Sequence, residues 1–481
     1  MDEIDEGIVG IITNHNYLDG PTFRGMRQSL MATFNCIYVL DLHGSIQRIE
    51  DVPDGINDQN VFDIRPGVAI ALFIKNSGMP NFVRHADLWG RRHDKYLRLA
   101  QSSISDLKWA DIRPSSPYYF FRLGATREDV KGGKSLDRIF RIGTTALQTS
   151  RDEFALAFTE SDIRTRLRDL GNTDKPDSDF RSLLKLKKES QLPAGDSTFW
   201  NLTSAREELR ARSSAEIAPL MYRPFDVRYL IYDEAVVHRM KREVSDEMRH
   251  ENLSLLVPRQ LSSVHFRHAF VTTFVSEMCV ISSATKEQNR VFPLWHYDKG
   301  GGRQENLSPD FRTYLDERYD HHYTPEEILG FIYSVLYAPS YRTRYAEFLR
   351  IDFPRVPFPE SANDFEKLSK LGWALVQAHL LRELPRKKLA DYHGNGDNTV
   401  EATRYSPQEE AIWINKNQFF KPVPQAVWDF HIGGYQVLDK YLKSRKGRIL
   451  SLDEINHVAA IANSLAFTIE QMAKIDEAYQ S

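Results

Sequence analysis

From Gly7 onward the chain sets short apolar runs against polar breaks. Residues 9–13 make an apolar run of strand length, and Pro21 then suits the first turn of a helix. Phe23, Met26, Leu30 and Phe34 recur at three- and four-residue steps, which predicts an amphipathic helix. Residues 36–42 predict a second strand. A polar loop through Asp51, Pro53, Asp54, Gly55 and Asn57 leads to the unbroken apolar run 68–75, the pattern of a strand covered on both faces. The predicted order is strand, helix, strand, loop, strand.

Further along, Pro224 stands between Tyr222 and Phe225 and is followed by alternating Val227, Tyr229 and Ile231. This predicts a turn entering a half-buried strand, with Arg223 and Asp226 paired across the corner. Residues 353–359 hold three prolines and predict a rigid crossing between domains without regular structure. The last third is helical: Phe331, Val335 and Leu336 share one helix, and Leu368, Leu371, Ala374, Leu375 and His379 another. Ser451 and Glu454 form a capping box before a long helix whose apolar face is Ile455, Val458, Ile461, Leu465, Ile469 and Met472. Residues 391–401 predict a loop, and 413–415 a strand.

Composition narrows the class. At ~100–200 residues per domain, 481 residues suggest two to four domains, and 41% hydrophobic content fills real cores. Lys and Arg total 63 against 66 Asp and Glu, so a net charge of −3 gives no overall attraction to nucleic acid or anionic membrane. Any polyanion must therefore meet a local basic patch. Cys36 and Cys279 both lie in apolar stretches, which suits buried thiols in a reducing compartment. The acidic start does not resemble a signal peptide, and no apolar run approaches the ~20 residues that span a bilayer. These features predict a cytoplasmic protein without a membrane partner.

Two stretches carry a family resemblance. One is Gly7-Ile8-Val9-Gly10-Ile11-Ile12-Thr13-Asn14, running on through Leu18-Asp19-Gly20 to Phe23-Arg24-Gly25-Met26-Arg27; the other is Asn60-Val61-Phe62-Asp63-Ile64-Arg65-Pro66-Gly67-Val68-Ala69-Ile70. The first resembles the second half of an amino-methyltransferase domain. The second resembles the late hairpin of gamma-type adenine-specific DNA methyltransferases, and more narrowly of Type ISP restriction-modification enzymes. The resemblance continues through Pro117-Tyr118-Tyr119-Phe120-Phe121, 222–229, 291–295, 341–345 with 352–358, and Trp428-Asp429-Phe430-His431-Ile432-Gly433-Gly434-Tyr435. It implies an α/β fold in three parts. Residues 1–76 would be the C-terminal half of a Rossmann-like methyltransferase sheet, 77–360 a mixed α/β target recognition (specificity) domain, and 361–481 a helical C-terminal subdomain.

The resemblance also implies chemistry. In that hairpin the family stacks an aromatic on the flipped adenine, and the matching residue is Phe62; an aromatic face returns part of a stacking energy of ~1–3 kcal/mol. A plug for the hairpin's own core is the alternative role for Phe62. A complete enzyme of this kind uses S-adenosylmethionine, held at a glycine-rich turn, and an Asn-Pro-Pro-Tyr or Asp-Pro-Pro-Tyr. Neither occurs here. Only six residues precede Gly7, so the chain reads as a truncated or split form, and its expected partners are double-stranded DNA and a polypeptide carrying the N-terminal methyltransferase half. A DNA-binding remnant with no catalytic role is the alternative. No catalytic residue and no cofactor of its own is expected of this chain.

The densest basic groups are the candidate DNA contacts: Arg239, Lys241 and Arg242; Arg259 with Gln260; Arg342 and Arg344; Arg355; and Lys443 with Arg445. Arg and Lys contacts to phosphate supply affinity, and bidentate contacts to base edges supply discrimination. For each one, a solvated face or an ion pair is the competing role, and Arg355 is equally an anchor for its proline-rich segment. A lysine-rich helix at 184–188 lies outside this set. Other chemistry is weakly indicated. Gly133-Lys134-Ser135 lacks the P-loop's first glycine, since Glu128 occupies that place; Asp87, Asp106 and Lys108 form only a permissive nuclease spacing; and the adjacent His321 and His322 do not have metal-ligand spacing, so no metal is expected.

Overall fold

The computed structural model describes residues 5–45, 52–53, 56–116, 118–122, 133–183, 192–197, 200–211, 215–263, 265–298, 300–384 and 388–480. The lysine-rich segment 184–188 lies outside these residues, as do Asp51, Asp54, Gly55, Pro117, Glu128, Lys131 and Gly132. The chain forms two compact units, Met1–Gly133 and Lys134–Ser481.

The first unit is built on one five-stranded sheet. Its strands are β1 (Gly7–Asn14), β2 (Cys36–Asp41), β3 (Val68–Lys75), β4 (Phe82–Asp87) and β5 (Ala110–Ile112), in the order β1-β3-β2-β4-β5. β3 is antiparallel to both β1 and β2, and β4 is parallel to β2. Strands β1, β2 and β4 therefore run the same way, and their C-terminal ends meet along one edge. The three strands expected up to residue 75 form, but β1, whose apolar run reads as a buried strand, is largely exposed because it lies at the edge of the sheet. The sheet then continues beyond residue 76 through β4 and β5. Helix α1 (Arg24–Thr33) also forms where the spacing placed it, but Phe23 and Met26 are exposed, and the helix instead buries Arg27 completely. Arg27 donates to the carbonyls of Tyr17, Gly20 and Tyr118, so a cation with all three guanidinium nitrogens engaged fills a place that periodicity assigned to an apolar side chain.

In the second unit a hairpin joins β6 (Glu216–Arg223) and β7 (Asp226–Tyr232), flanked by Val275–Ser276 and Leu156–Ala157. Phe225 turns the corner at φ 62°. Arg223 and Asp226 do not pair with each other as predicted. Arg223 Nη1 lies 3.1 Å from Glu277 Oε2, and Asp226 takes Arg228 and Arg445 at 3.0 and 2.9 Å. Separate four-stranded sheets centre on Ser254–Pro258 and on Ala411–Trp413. Residues 353–359 do include regular structure, the short strand Arg355–Pro357, with Phe353, Val356 and Phe358 buried around it.

The helical part comprises α3 (Pro325–Tyr337), α4 (Ala362–His379) and α5 (Leu452–Gln480). α3 and α4 cross where Gly330 meets Gly372: a Cβ on Gly372 would stand 1.9 Å from the Gly330 carbonyl oxygen, so only glycine allows that approach. The Ser451–Glu454 capping box forms at the head of α5, with bonds of 3.1 and 3.2 Å. Val458, Ile461 and Leu465 enter one apolar core and Ile475 and Ala478 a second, so α5 ties the two together. Among the described residues no helix is long and apolar enough to cross a membrane.

Candidate nucleic-acid interface

Phe62 sits on the loop that enters β3, at the sheet edge where β1, β2 and β4 end. Val61 is buried and plugs the loop's underside, whereas Phe62 is 43% exposed. The core-plug role thus falls to its neighbour. Several groups fix the loop from within. The buried Asn60 amide donates to the carbonyls of Gly44, Ile64 and Pro66 at 2.8–3.1 Å, and its Oδ1 accepts from Phe62 N at 2.9 Å. Arg92, on α2 (Arg92–Gln101), donates to Asn60 O, Phe62 O and Asp63 Oδ1. Tyr96 donates to Val61 O. Lys95, wholly buried, donates to Leu42 O and Gln59 O and pairs with Asp58 at 2.6 Å. Gly44 adopts φ 78° and has no room for a Cβ, which would lie 2.3 Å from Asn60 Cα. Backbone carbonyls tied by the buried Asn60 and Lys95 and by Arg92 and Tyr96 hold such a loop in one shape, which lowers the ordering cost of presenting an exposed aromatic.

Beneath this loop the same edge gathers polar side chains that the sequence did not connect. Asp41 ends β2, Asp87 ends β4, and His15, His43 and His85 stand beside them; Asp41 and Asp87 are register partners. Asp41 Oδ1 lies 2.9 Å from His15 Nδ1, and His43 Nε2 lies 2.9 Å from Asp87 Oδ1. Burial pushes the Asp41 carboxyl up, but its hydrogen bond from His15 and the charges of His43 and Arg122 outweigh this and leave it well below the usual carboxylate range. Burial pushes His85 down. Two i,i+2 pairs, Asp41 with His43 and His85 with Asp87, are the signal in the sequence. As for the permissive nuclease trio, Asp87 faces His43 and Asp106 accepts from Ser103 at 2.6 and 2.7 Å, each already used locally.

In the second unit the candidate DNA contacts lie on three stretches. Arg239 is exposed on a segment bridged to Gln148, Lys241 is half-buried at φ 52°, and Arg242 pairs with Glu234 at 2.8 Å. Arg259 and Gln260 are exposed, and their segment adjoins 350–352: Arg259 Nε lies 2.9 Å from Asp352, Gln260 donates to Ile351 O, and Leu261 N to Arg350 O. The neighbouring Tyr341 hydroxyl donates to Arg355 O, which brings Arg342, Arg344 and Arg355 to the same region. Arg344 is exposed. Arg342 packs its guanidinium 4.5 Å from the Tyr337 ring and donates to Leu336 O, and burial lowers its pKa. On the third stretch Lys443 is exposed and pairs with Asp439 at 2.8 Å. Arg445 is buried between Asp226 (2.9 Å) and Glu454 (3.1 Å), over the Tyr441 ring at 3.5 Å. Its charge is spent inside the fold.

Phe158, which the sequence did not single out, gathers cations around its ring. The guanidiniums of Arg448 and Arg228 lie 3.6 and 4.4 Å from its ring centroid. Phe158, Tyr222, Arg166 and Arg228 line an open cleft of about 650 Å³ that also holds Asp152 and Asp162. Aromatic planes stacked by guanidiniums suit flat, electron-rich ligands such as bases.

Known proteins share this architecture. Residues 138–474 match the model of the Type ISP C-terminal specificity domain. The chain superposes on the DrdV–DNA complex with a TM-score of 0.57 at 19% identity, covering 98% of this chain and 50% of that one. A nuclease-deletion mutant of the Type ISP restriction-modification enzyme LlaGI, solved with a DNA substrate mimic, gives 0.55 at 19% identity over 98% and 46%. The ATP-dependent Type ISP enzyme LlaBIII bound to DNA gives 0.56 at 18% identity over 98% and 33%. The chain thus spans half or less of the length of each. No curated protein sequence matches it.

Proposed function

The chain belongs to the Type ISP C-terminal specificity domain family over residues 138–474, and from that premise we propose that it recognises a DNA sequence for an adenine-specific methyltransferase of a restriction-modification or phage-defence system. The family match over most of the second unit carries this reading, and the three DNA-bound structures of the same architecture support it. The exposed cations Arg239, Arg242, Arg259, Arg344 and Lys443, with Lys241, Gln260 and Arg355, form the DNA-facing set. Arg342 and Arg445 serve by holding the segments that carry them. Phe62 stacks on the displaced target base.

A second polypeptide completes the reading. β1 is an outer strand of its sheet, with Ile8 and Ile12 exposed on one face and Ile11 on the other. An apolar outer strand is a template for another strand, and a methyltransferase half carrying the cofactor-binding turn fits it. On this reading S-adenosylmethionine belongs to that partner, and no methyl-transfer step is assigned to this chain.

Selection of random duplexes by the purified chain tests the proposal. One asymmetric site should be enriched, and affinity should fall steeply with salt as condensed counterions are released. Absent or salt-insensitive binding overturns it. A coding frame for the glycine turn and Asn-Pro-Pro-Tyr beside this one would identify the partner.

A further inference from the structure

The polar cluster at the strand ends carries an inference independent of DNA recognition. One ligand atom each from His15, Asp41 and His43 lie within 4.8 Å of one another, and so do atoms of Asp41, His85 and Asp87. His15, Asp41, His43 and His85 are all at most 1% exposed. A tetrahedral ion with bonds of about 2.0–2.2 Å holds its ligand atoms roughly 3.3 Å apart; the two triads share Asp41, so one shell across both requires the His85 ring to close on His15 and His43.

The second observation is His85. Neither of its ring nitrogens makes a hydrogen bond among the described residues, and Asp87 Oδ2 is 3.8 Å from Nδ1, beyond hydrogen-bonding distance. Asp41 Oδ2 likewise makes no hydrogen bond; His43 Nδ1 lies 3.7 Å away and Arg122 Nε 4.0 Å. Buried polar atoms left this way cost free energy unless something binds them. His43 is also oriented as a ligand should be: Nε2 faces Asp87 Oδ1 at 2.9 Å, the imidazole–carboxylate pairing that aims the other ring nitrogen at a metal, and Trp89 stacks on its ring.

We propose that His15, Asp41, His43 and His85 form a closed structural site for one transition-metal ion of the zinc class. Three imidazoles and one carboxylate select zinc or cobalt over magnesium or calcium, which want oxygen ligands. The partly exposed Asp87 leaves a path for entry. Bound there, the ion would tie the ends of β1, β2 and β4 to the Phe62 loop, since His15 N donates to Gly67 O at 3.0 Å and Val68 N to His43 O at 3.2 Å.

The full chain, stripped with a chelator, is titrated with Co²⁺. One equivalent should give the visible d–d absorption of a tetrahedral site, and Zn²⁺ should displace it and raise the melting temperature. Asp41→Asn and His85→Gln should each weaken uptake at least about tenfold, while a His321→Ala/His322→Ala variant should bind as the parent does. Absence of saturable uptake, or uptake lost only in the His321/His322 variant, overturns the proposal. Should the buried variants fail to fold, X-ray absorption on the zinc-loaded parent decides: imidazole scattering from at least two ligands supports the site, and an all-oxygen or sulfur shell overturns it.

Discussion

Of the sixteen large apolar side chains that stand exposed among the described residues, thirteen lie in Met1–Gly133 and three, Leu192, Ile449 and Leu452, in the far longer Lys134–Ser481. Both units hide cations and carboxylates: Arg27, Lys95 and Asp41 in the first, and Arg206, Asp226 and Arg445 in the second. The second unit packs apolar side chains into two large cores and leaves most of its candidate DNA contacts outside, several of them in ion pairs. Apolar surface on a small unit marks contact with something else, and a polar interior there keeps a surface loop in one shape. The first unit is therefore organised around what it presents, and the second around its own stability.

Arg445 gives the largest expected effect. Arg445→Ala strips buried Asp226 of one of its two cations and leaves it Arg228, so the loss should lie near the lower end of the about 3–5 kcal/mol for breaking a buried pair from one side. Chemical denaturation measures this. A loss below about 1 kcal/mol, the value of an exposed pair, would remove Arg445 from the second unit's internal framework and return it to the DNA-facing set.

Arg445 also shows where the sequence stopped being legible. The capping box of α5 and the strand–helix–strand opening were readable because their signals lie within a few residues of each other. The partners of the Tyr222–Asp226 corner were not: Arg223 finds Glu277 54 residues on, and Asp226 finds Arg445 219 residues on. Nearest-neighbour logic paired the two with each other instead. In the same way Met26 has the spacing of a core residue and is exposed, because the buried place beside it is taken by Arg27 and the carbonyls it binds. The His–Asp cluster joins residues from three strand ends, so only the closed sheet displays it. Phe62 is singled out by resemblance alone, and its exposure is visible only in the folded loop.

Phe62 tests the first unit's side of the comparison with a smaller effect. Phe62→Ala should weaken binding to a duplex with an unpaired adenine at the target position by about 1–3 kcal/mol, and should leave unfolding within about 0.5 kcal/mol because the ring is exposed. Fluorescence anisotropy and thermal melts report the two. A core-like loss of stability with unchanged affinity would turn the loop back into a packing element.

The least of the three effects concerns how each unit treats a buried histidine. His379 is enclosed by the Phe225, Phe270, Tyr333 and Tyr337 rings, and both its nitrogens have partners, the Tyr333 hydroxyl at 2.5 Å and Thr468 Oγ1 at 2.9 Å. Burial, with the charge of Arg342 second, pushes its pKa down to about 3. An unfolded histidine titrates near ~6.5, so between pH 6.5 and 3 the unfolded chain takes up a proton that the folded chain refuses. The stability from a neutral His379 is then whole above pH 6.5 and lost as pH falls toward 3, at about 1.4 kcal/mol per unit. Unfolding free energy at pH 7 and pH 5.5 should differ by roughly that much more in the parent than in His379→Gln. His85 is also buried and pushed down, yet neither of its nitrogens makes a hydrogen bond among the described residues. If removing His379 leaves the acid slope unchanged while removing His85 flattens it, the pH sensitivity belongs to the first unit's strand ends, and the second unit's core tolerates the proton that its geometry implies it excludes.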